Sequence, residues 1–142
     1  MSTIPTIKSK PMSLSYDIPI SKTKQFWDNL KEGKVLATKC KKCGTLNFPP
    51  TADCPNCYSS DIEWLPLNGE GEIETFTHVI IKPQSFQEYE PYTIAIARLK
   101  DGVKVLAWLT GTSIENIKVG MKVKLQAKIH QEGTLTYEFT PI

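Results

Sequence analysis

The sequence predicts a mainly β protein in which a short helical segment leads into a metal-bound ribbon and then a small five-stranded barrel. Two observations support this fold class. The four cysteines of the 142-residue chain form two CxxC pairs, and five strand-like segments follow them. The expected units are a proline-containing arm and helix over 1–33, a metal module over 34–65 and a barrel over 66–142.

The cysteines have the spacing of a tetrahedral metal site. One pair is Cys40 and Cys43, the other is Cys54 and Cys57, and ten residues separate the pairs. Each CxxC turn supplies two thiolates, so two turns complete the four sulfur ligands of a structural zinc site. Iron uses the same ligands in rubredoxin-type sites. The sequence therefore predicts zinc, with iron as the alternative.

Other roles for the cysteines fit the sequence less well. Disulfides imply secretion, and the N-terminus lacks the apolar core of a signal peptide. A redox pair gives no reason for a second CxxC nearby. Because four protein ligands close the coordination sphere, we expect a structural metal that supplies folding energy to a module too small to fold alone.

Short strands are expected on both sides of the metal ligands. Residues 34–39 form a strand that leads into the first CxxC pair, and residues 47–50, Asn-Phe-Pro-Pro, turn the chain back. Residues 62–65 form the returning strand. The result is a ribbon, and Pro66 with the Gly-Glu-Gly of 69–71 marks its end.

The region before the ribbon begins with a proline-containing arm. Residues 1–19 show little periodicity and contain Pro5, Pro11 and Pro19. Such a segment is expected to be extended and to become ordered only when something docks on it.

A short helix is predicted after the arm. Ser21 is its expected N-terminal cap, and Gly33 its expected end. Phe26, Trp27 and Leu30 fall on one side of this helix. Packing on the chain's own core is the favoured interpretation of this side, and docking on a partner is the alternative.

Every strong signal after residue 71 is a strand. Asp101-Gly102 and Glu132-Gly133 join neighbouring segments as tight hairpins, and a longer connection covers residues 111–120. This arrangement predicts an OB-type barrel, with an open sandwich as the alternative. The five predicted strands are Glu72–Lys82, Tyr92–Lys100, Val103–Thr110, Met121–Gln131 and Thr134–Thr140.

An OB-type barrel suggests single-stranded nucleic-acid binding, but the charge distribution argues against it. Residues 66–142 hold eight basic and nine acidic residues, a net charge of −1. Binding to a nucleic-acid backbone depends on an excess of Lys and Arg, so this function is only the alternative. The aromatic residues of the barrel are expected mostly in its core: Phe76, Tyr92, Trp108, Tyr137 and Phe139.

The positive excess lies in the first half of the chain. Residues 1–65 hold nine lysines and six acids, a net charge of +3, and three of the lysines surround the first CxxC pair: Lys39, Lys41 and Lys42. A solvated surface is the simpler interpretation. Contact with a phosphate-bearing small molecule or an acidic partner is the functional one.

No catalytic constellation is predicted. His78 and His130 both fall inside predicted strands, and neither a GxSxG turn nor a spare cysteine accompanies them. The longest apolar runs are strand-sized, so we expect no membrane segment. Together with the lack of a signal peptide, this predicts a cytoplasmic location.

Several motifs together resemble a known family. In chain order they are Tyr16, the run FWDNLKEG over 26–33, CKKCG over 40–44, FPP over 48–50, CPNC over 54–57, Glu63-Trp64 and GEG over 69–71. From Tyr16 onward, nearly the whole chain is similar to the acyl-CoA-associated zinc-ribbon plus OB-fold proteins. These were long catalogued as a domain of unknown function.

The resemblance implies a rubredoxin-like zinc ribbon, a C-terminal OB barrel and usually no independent catalysis. Such proteins accompany thiolases. One bridges acetoacetyl-CoA thiolase and hydroxymethylglutaryl-CoA synthase so that a CoA-bound intermediate passes between them, and others pair with thiolase-like aldolases or hydratase subunits.

The expected function is therefore that of a non-catalytic accessory subunit on a thiolase-type enzyme. The residues expected to dock on the enzyme are Phe26, Trp27 and Leu30. The residues expected to contact the phosphates of CoA or acyl-CoA are Lys39, Lys41 and Lys42.

Overall fold

The computed structural model describes residues 4–12 and 14–142. One helix, α1 (Lys24–Lys31), precedes a three-stranded antiparallel sheet in the order β2-β1-β3. The strands of this sheet are β1 (Leu36–Cys40), β2 (Leu46–Asn47) and β3 (Ile62–Pro66). The remaining strands are β4 (Glu70–Val79), β5 (Tyr92–Leu99), β6 (Lys104–Leu109), β7 (Lys122–Ile129) and β8 (Leu135–Pro141). These five form a closed barrel in the order β4-β5-β6-β8-β7, which confirms the predicted mainly β fold.

Helix α1 ends as predicted but begins later. Gly33 adopts φ +82° and donates its N–H to the Leu30 carbonyl at 3.1 Å, so the left-handed turn stops the helix. The predicted cap, Ser21, is wrong. The N–H of Thr23 bonds the Ile20 carbonyl at 2.9 Å, which places Ser21 inside a preceding turn, and Thr23 occupies the cap position.

The barrel closes through one long strand and one short pairing. Strand β4 pairs antiparallel with β5 and with β7, and a bulge between Ile73 and Thr75 bends it from one neighbour to the other. At Gly71 a Cβ atom would lie 2.3 Å from the Arg98 carbonyl oxygen, so only glycine fits there. Strands β6 and β8 pair in parallel at only two registers, so the rest of β6 diverges from β8.

Helix, ribbon and barrel share one hydrophobic core. Phe26 and Leu30 of α1 are 4% and 0% exposed and pack with the buried side chains of the barrel. Phe26, Phe48 and Tyr137 meet edge to face, with ring centroids 5.2–6.3 Å apart. These rings come from the helix, the ribbon and β8, so all three parts are joined in one aromatic cluster. The barrel residues at its centre are Ile73, Ala95, Ala97, Val105, Val123 and Phe139.

The described part of the arm forms no helix or strand. Residues 4–12 and 14–20 are exposed, and the extended conformation of the arm stays a prediction, while residues 1–3 and 13 of the predicted arm lie outside the described residues. Across the described ranges, no helix has the length and apolar character needed to cross a membrane.

A buried carboxylate stabilises the hairpin of β7 and β8. Glu138 is 3% exposed and accepts hydrogen bonds from Lys128 Nζ at 2.8 Å, Thr110 Oγ1 at 3.0 Å and Thr136 Oγ1 at 3.1 Å. His130 Nε2 lies 3.0 Å from Glu138 Oε1, the same oxygen that accepts from Thr136. Burial alone would raise the pKa of Glu138, but the hydrogen bonds from Lys128, Thr110 and Thr136 outweigh it and lower that pKa.

The lowered pKa of Glu138 predicts acid sensitivity. Its contribution to stability is present above the unfolded carboxylate pKa of about 4.3 and is lost as pH falls through the lower folded value. Urea unfolding between about pH 6 and about pH 3 should therefore show a smaller loss of unfolding free energy for Glu138→Gln than for the native chain. An equal acid-dependent loss in both proteins would contradict this prediction.

A matched pair of lysine variants tests the same contact at neutral pH. Lys128→Met leaves a nearly buried carboxylate without its cation and should lower the unfolding free energy by about 2 kcal/mol. Lys122→Met, an exposed lysine on the same strand, should change it by less than about 0.5 kcal/mol.

Candidate metal centre

The first CxxC turn is held by its own backbone. The N–H of Gly44 donates to the Cys40 carbonyl at 2.8 Å, and the N–H of Cys40 donates to the Thr45 carbonyl at 2.9 Å. Gly44 has φ +77°, the left-handed conformation that glycine adopts without strain. The turn therefore folds back so that Cys40 and Cys43 face the same point.

The second turn repeats this pattern with one difference. Tyr58 donates to the Cys54 carbonyl and Cys54 donates to the Ser59 carbonyl, both at 2.9 Å. Tyr58 occupies the position equivalent to Gly44 and takes φ 58°, a conformation that costs energy in a residue with a Cβ atom. The two turns thus present their sulfurs in the same way, and the second one carries strain.

The four sulfurs fit a single tetrahedral metal ion. All four Sγ atoms lie within 4.8 Å of one another, and the Cys40–Cys57 and Cys43–Cys54 sulfur pairs are each 3.5 Å apart. Four sulfurs at about 2.3 Å from a tetrahedral zinc ion are separated by about 3.8 Å. The predicted ligand set therefore comes together, and it leaves no protein-free position on the metal.

Burial and hydrogen bonding make the cluster asymmetric. Cys40 and Cys54 are buried, whereas Cys43 is exposed. Hydrogen bonds from Thr45 and Asn56 lower the pKa of the Cys43 thiol to about 5. A backbone hydrogen bond with Ser59 favours the thiolate of Cys57, but burial and the neighbouring sulfurs outweigh it and raise its pKa to about 11. A metal cation removes this conflict because it stabilises all four thiolates at once.

One of the three lysines predicted to contact phosphate is paired with a carboxylate. Lys41 Nζ lies 3.2 Å from Asp61 Oδ1, while Lys42 is exposed and Lys39 is half-buried on β1. Asp61 therefore balances part of the positive charge near the first turn. Lys42 is exposed and forms no ion pair with the described residues, and phosphate contact stays a prediction for all three lysines.

The three residues predicted to dock on a partner are placed differently from one another. Phe26 and Leu30 are buried in the chain's own core, as the favoured interpretation of this helix expects. Trp27 is half-buried and packs edge to face on Phe26, with ring centroids 5.3 Å apart. Docking stays a prediction, and among these three only Trp27 has surface left for a partner.

Both histidines are engaged by neighbouring side chains. His78 Nδ1 lies 2.9 Å from Thr93 Oγ1, and His130 Nε2 lies 2.9 Å from Thr136 Oγ1. Each imidazole therefore has a hydroxyl partner on an adjacent strand.

Two aromatic residues expected in the barrel core lie on its outer face instead. Phe139 is buried as predicted, but Tyr92 and Trp108 are half-buried and stack with ring centroids 4.3 Å apart and planes 9° from parallel. The signal that could have located them is in β6, where Leu106 and Trp108 alternate with the inward-facing residues and so must point outward.

Comparison with known proteins supports both halves of the fold. The ChsH2 rubredoxin-like zinc ribbon domain matches residues 27–63, and the ChsH2 C-terminal OB-fold domain matches residues 64–128. A solved structure described as the Ltp2-ChsH2(DUF35) aldolase superposes with a TM-score of 0.71 at 25% identity, over 83% of this chain and 92% of that chain. The predicted OB-type barrel is thus confirmed.

Relatives match over the full length or over half of it. A DUF35 domain-containing scaffold protein of Pyrococcus furiosus is 34% identical over 94% of this chain and 96% of its own length. One of Methanocaldococcus jannaschii is 30% identical over 92% and 99%. The benzoylsuccinyl-CoA thiolase subunit BbsA of Geobacter metallireducens is 37% identical over 51% and 48%. The chain therefore belongs to the DUF35 family, whose members combine a rubredoxin-like zinc ribbon with an OB-fold barrel.

Proposed function

We propose that this chain is a non-catalytic accessory subunit that docks on a thiolase-type enzyme and helps hold CoA or acyl-CoA. The observation that carries the proposal is the full-length match to two relatives named scaffold proteins. The half-length match to a subunit named for benzoylsuccinyl-CoA thiolase supports the choice of enzyme class. We further propose that the chain bridges acetoacetyl-CoA thiolase and hydroxymethylglutaryl-CoA synthase, and that it does so in the cytoplasm.

The arm supplies a docking surface. Five apolar residues alternate along it, and each is between 39% and 83% exposed: Met12, Leu14, Tyr16, Ile18 and Ile20. In an extended segment, alternate side chains point to one face, so these five would form an apolar stripe. An extended peptide with such a stripe binds a partner by adding to a sheet edge or by filling an apolar groove.

Polar substitutions in this stripe should weaken docking without unfolding the chain. The variant Leu14→Ser, Tyr16→Ser, Ile18→Ser removes exposed anchors, so copurification with a co-expressed thiolase-type enzyme should fall about tenfold or more. The matched control is Ile4→Ser, Ile7→Ser, which removes exposed apolar residues outside the stripe. Equal copurification of the stripe variant and the native chain would count against docking through the arm.

The helix is best tested through Trp27 alone. Replacing Phe26 would open a cavity in the shared core, and a lost interaction could then reflect unfolding rather than docking. Trp27→Ser is therefore tested in the same copurification assay, and thermal denaturation shows independently whether the variant is folded. Lost copurification of a folded variant would come from lost docking rather than from unfolding.

The ribbon lysines provide the proposed contact with CoA phosphates, because a lysine ammonium binds phosphate as a point charge. Lys42→Glu should lower the amount of CoA retained by the purified complex severalfold, as measured by mass spectrometry of the released small molecules. Lys118→Glu, an exposed lysine of the barrel segment, is the charge-matched control and should have no effect. Unchanged retention in Lys42→Glu would leave the lysines as solvated surface.

We propose zinc as the metal that the four cysteines hold. Zinc and iron both accept a set of four cysteine sulfurs, and the match to a zinc ribbon domain supports zinc. Metal analysis of the purified chain should give one zinc per molecule, and chelation should unfold the ribbon, since structural zinc contributes about 10 kcal/mol or more to folding. Iron in the same position would contradict the proposal.

Two substitutions separate the metal from the turn that holds it. Cys43→Ser removes a ligand and should abolish stoichiometric zinc. Tyr58→Gly retains all four ligands and relieves the left-handed strain, so it should keep the zinc and raise the melting temperature slightly.

A further inference from the structure

Strand β6 carries apolar residues on both of its faces, and Lys104 begins the outer one. Val105, Ala107 and Leu109 point into the barrel and are buried. On the other face Leu106 is 60% exposed and Trp108 is half-buried. Folding of a small barrel does not require apolar residues on its outer face, and Leu106 and Trp108 together place an apolar patch there.

The connection between β4 and β5 brings two more aromatic rings to this face. Tyr89 meets Trp108 edge to face, with centroids 5.7 Å apart, and Phe86 lies 6.5 Å from the same ring. Tyr92 stacks on Trp108 nearly in parallel. Three aromatic side chains thus surround the indole ring of Trp108 on the outside of the barrel. Together the four residues form an aromatic shelf: Phe86, Tyr89, Tyr92 and Trp108.

A cavity of about 420 Å³ lies beside this shelf. It occupies the region where β6 diverges from β8, below their short parallel pairing. Phe86, Tyr89 and Trp108 line its apolar side, and His130 and Thr134 line its polar side. Its volume is within the range of roughly 300–1,000 Å³ that is usual for small-molecule sites.

The charges around the cavity decide which ligand it suits. Its lining includes two carboxylates, Glu132 and Glu138, and the neighbouring cation Lys128 is already paired with Glu138. No positive excess is therefore available for a phosphate. An aromatic wall opposite an imidazole and a hydroxyl suits an uncharged planar ring with polar atoms on its edge.

We propose that this cavity binds a nucleobase-type heteroaromatic ring carried by a small molecule. The ring stacks on Trp108 from the side away from Tyr92, which does not line the cavity, and its edge faces His130 and Thr134. This site is separate from the ribbon lysines and does not depend on docking to an enzyme. It can therefore be tested on the purified, metal-loaded chain alone.

The test is an NMR titration of the full chain with adenosine as the probe. Adenosine should shift the indole N–H signal of Trp108 in a saturable way. Trp108→Ala lacks this indole, so its binding is followed through the backbone amide signal of Thr134, which also lines the cavity, and the substitution should weaken binding by at least about fivefold, in line with the usual contribution of a base–aromatic stack. Leu106→Arg should do the same by filling the cavity, and because Leu106 is largely exposed this variant keeps the fold. The control Tyr16→Ala, which removes an exposed aromatic ring from the arm, should bind adenosine normally.

Two further probes identify the source of the ring. Coenzyme A carries the same adenine. If coenzyme A also shifts the Trp108 signal, the site is assigned to a cofactor. If adenosine shifts it and coenzyme A does not, the site is assigned to a free nucleoside. The proposal is overturned if millimolar adenosine gives no saturable shift, or if Trp108→Ala and Leu106→Arg bind it as the native chain does. Binding of an oligodeoxyadenylate in the absence of adenosine binding would also overturn it, in favour of a single-stranded nucleic-acid site.

Discussion

The convergence of four sulfurs within 4.8 Å organises the first half of this molecule. Strands β1, β2 and β3 contain only five, two and five residues, too few to form a stable sheet by themselves. Cys40 ends β1, and the second turn lies between β2 and β3, so a metal ion at the sulfurs fixes where all three strands stand. The position of Phe48, and through it the contact with the barrel, follows from that arrangement.

The aromatic cluster of Phe26, Phe48 and Tyr137 connects the metal-bound ribbon to the barrel. Its three rings come from parts of the chain far apart in sequence, and each buries area that no single part could bury alone. Two small modules, each marginal in size, are thereby stabilised as one unit. The family's combination of ribbon and barrel thus has a physical basis in this chain, since neither part buries its aromatic face without the other.

The features that local sequence determines were predicted well. The metal ligands follow from the two CxxC pairs, in which two residues separate the cysteines, and the barrel strands follow from alternation and from Gly102 and Gly133 in the hairpin turns. The predicted start of the helix was wrong because Ser21 lies inside a preceding turn that the sequence does not indicate. The two-residue strand β2 is too short to give a pattern of its own.

The features that depend on long-range packing could not be predicted. Alternation along β6 could have placed Trp108 on the outer face, but the packing of Phe86, Tyr89 and Tyr92 around it is visible only in the folded chain. Phe26 was expected in the chain's own core, but the sequence did not indicate that its partners there are Phe48 and Tyr137. A composition or periodicity signal cannot report partners that lie so far along the chain.

The shared core also has a mechanical consequence. Domains joined by a linker can swing relative to one another, but here the ribbon cannot rotate against the barrel without separating packed aromatic rings. Turning one part against the other would expose these rings to water. The shared core therefore favours one relative orientation of ribbon and barrel, and a molecule bound to one of them would be held in a fixed direction relative to the other.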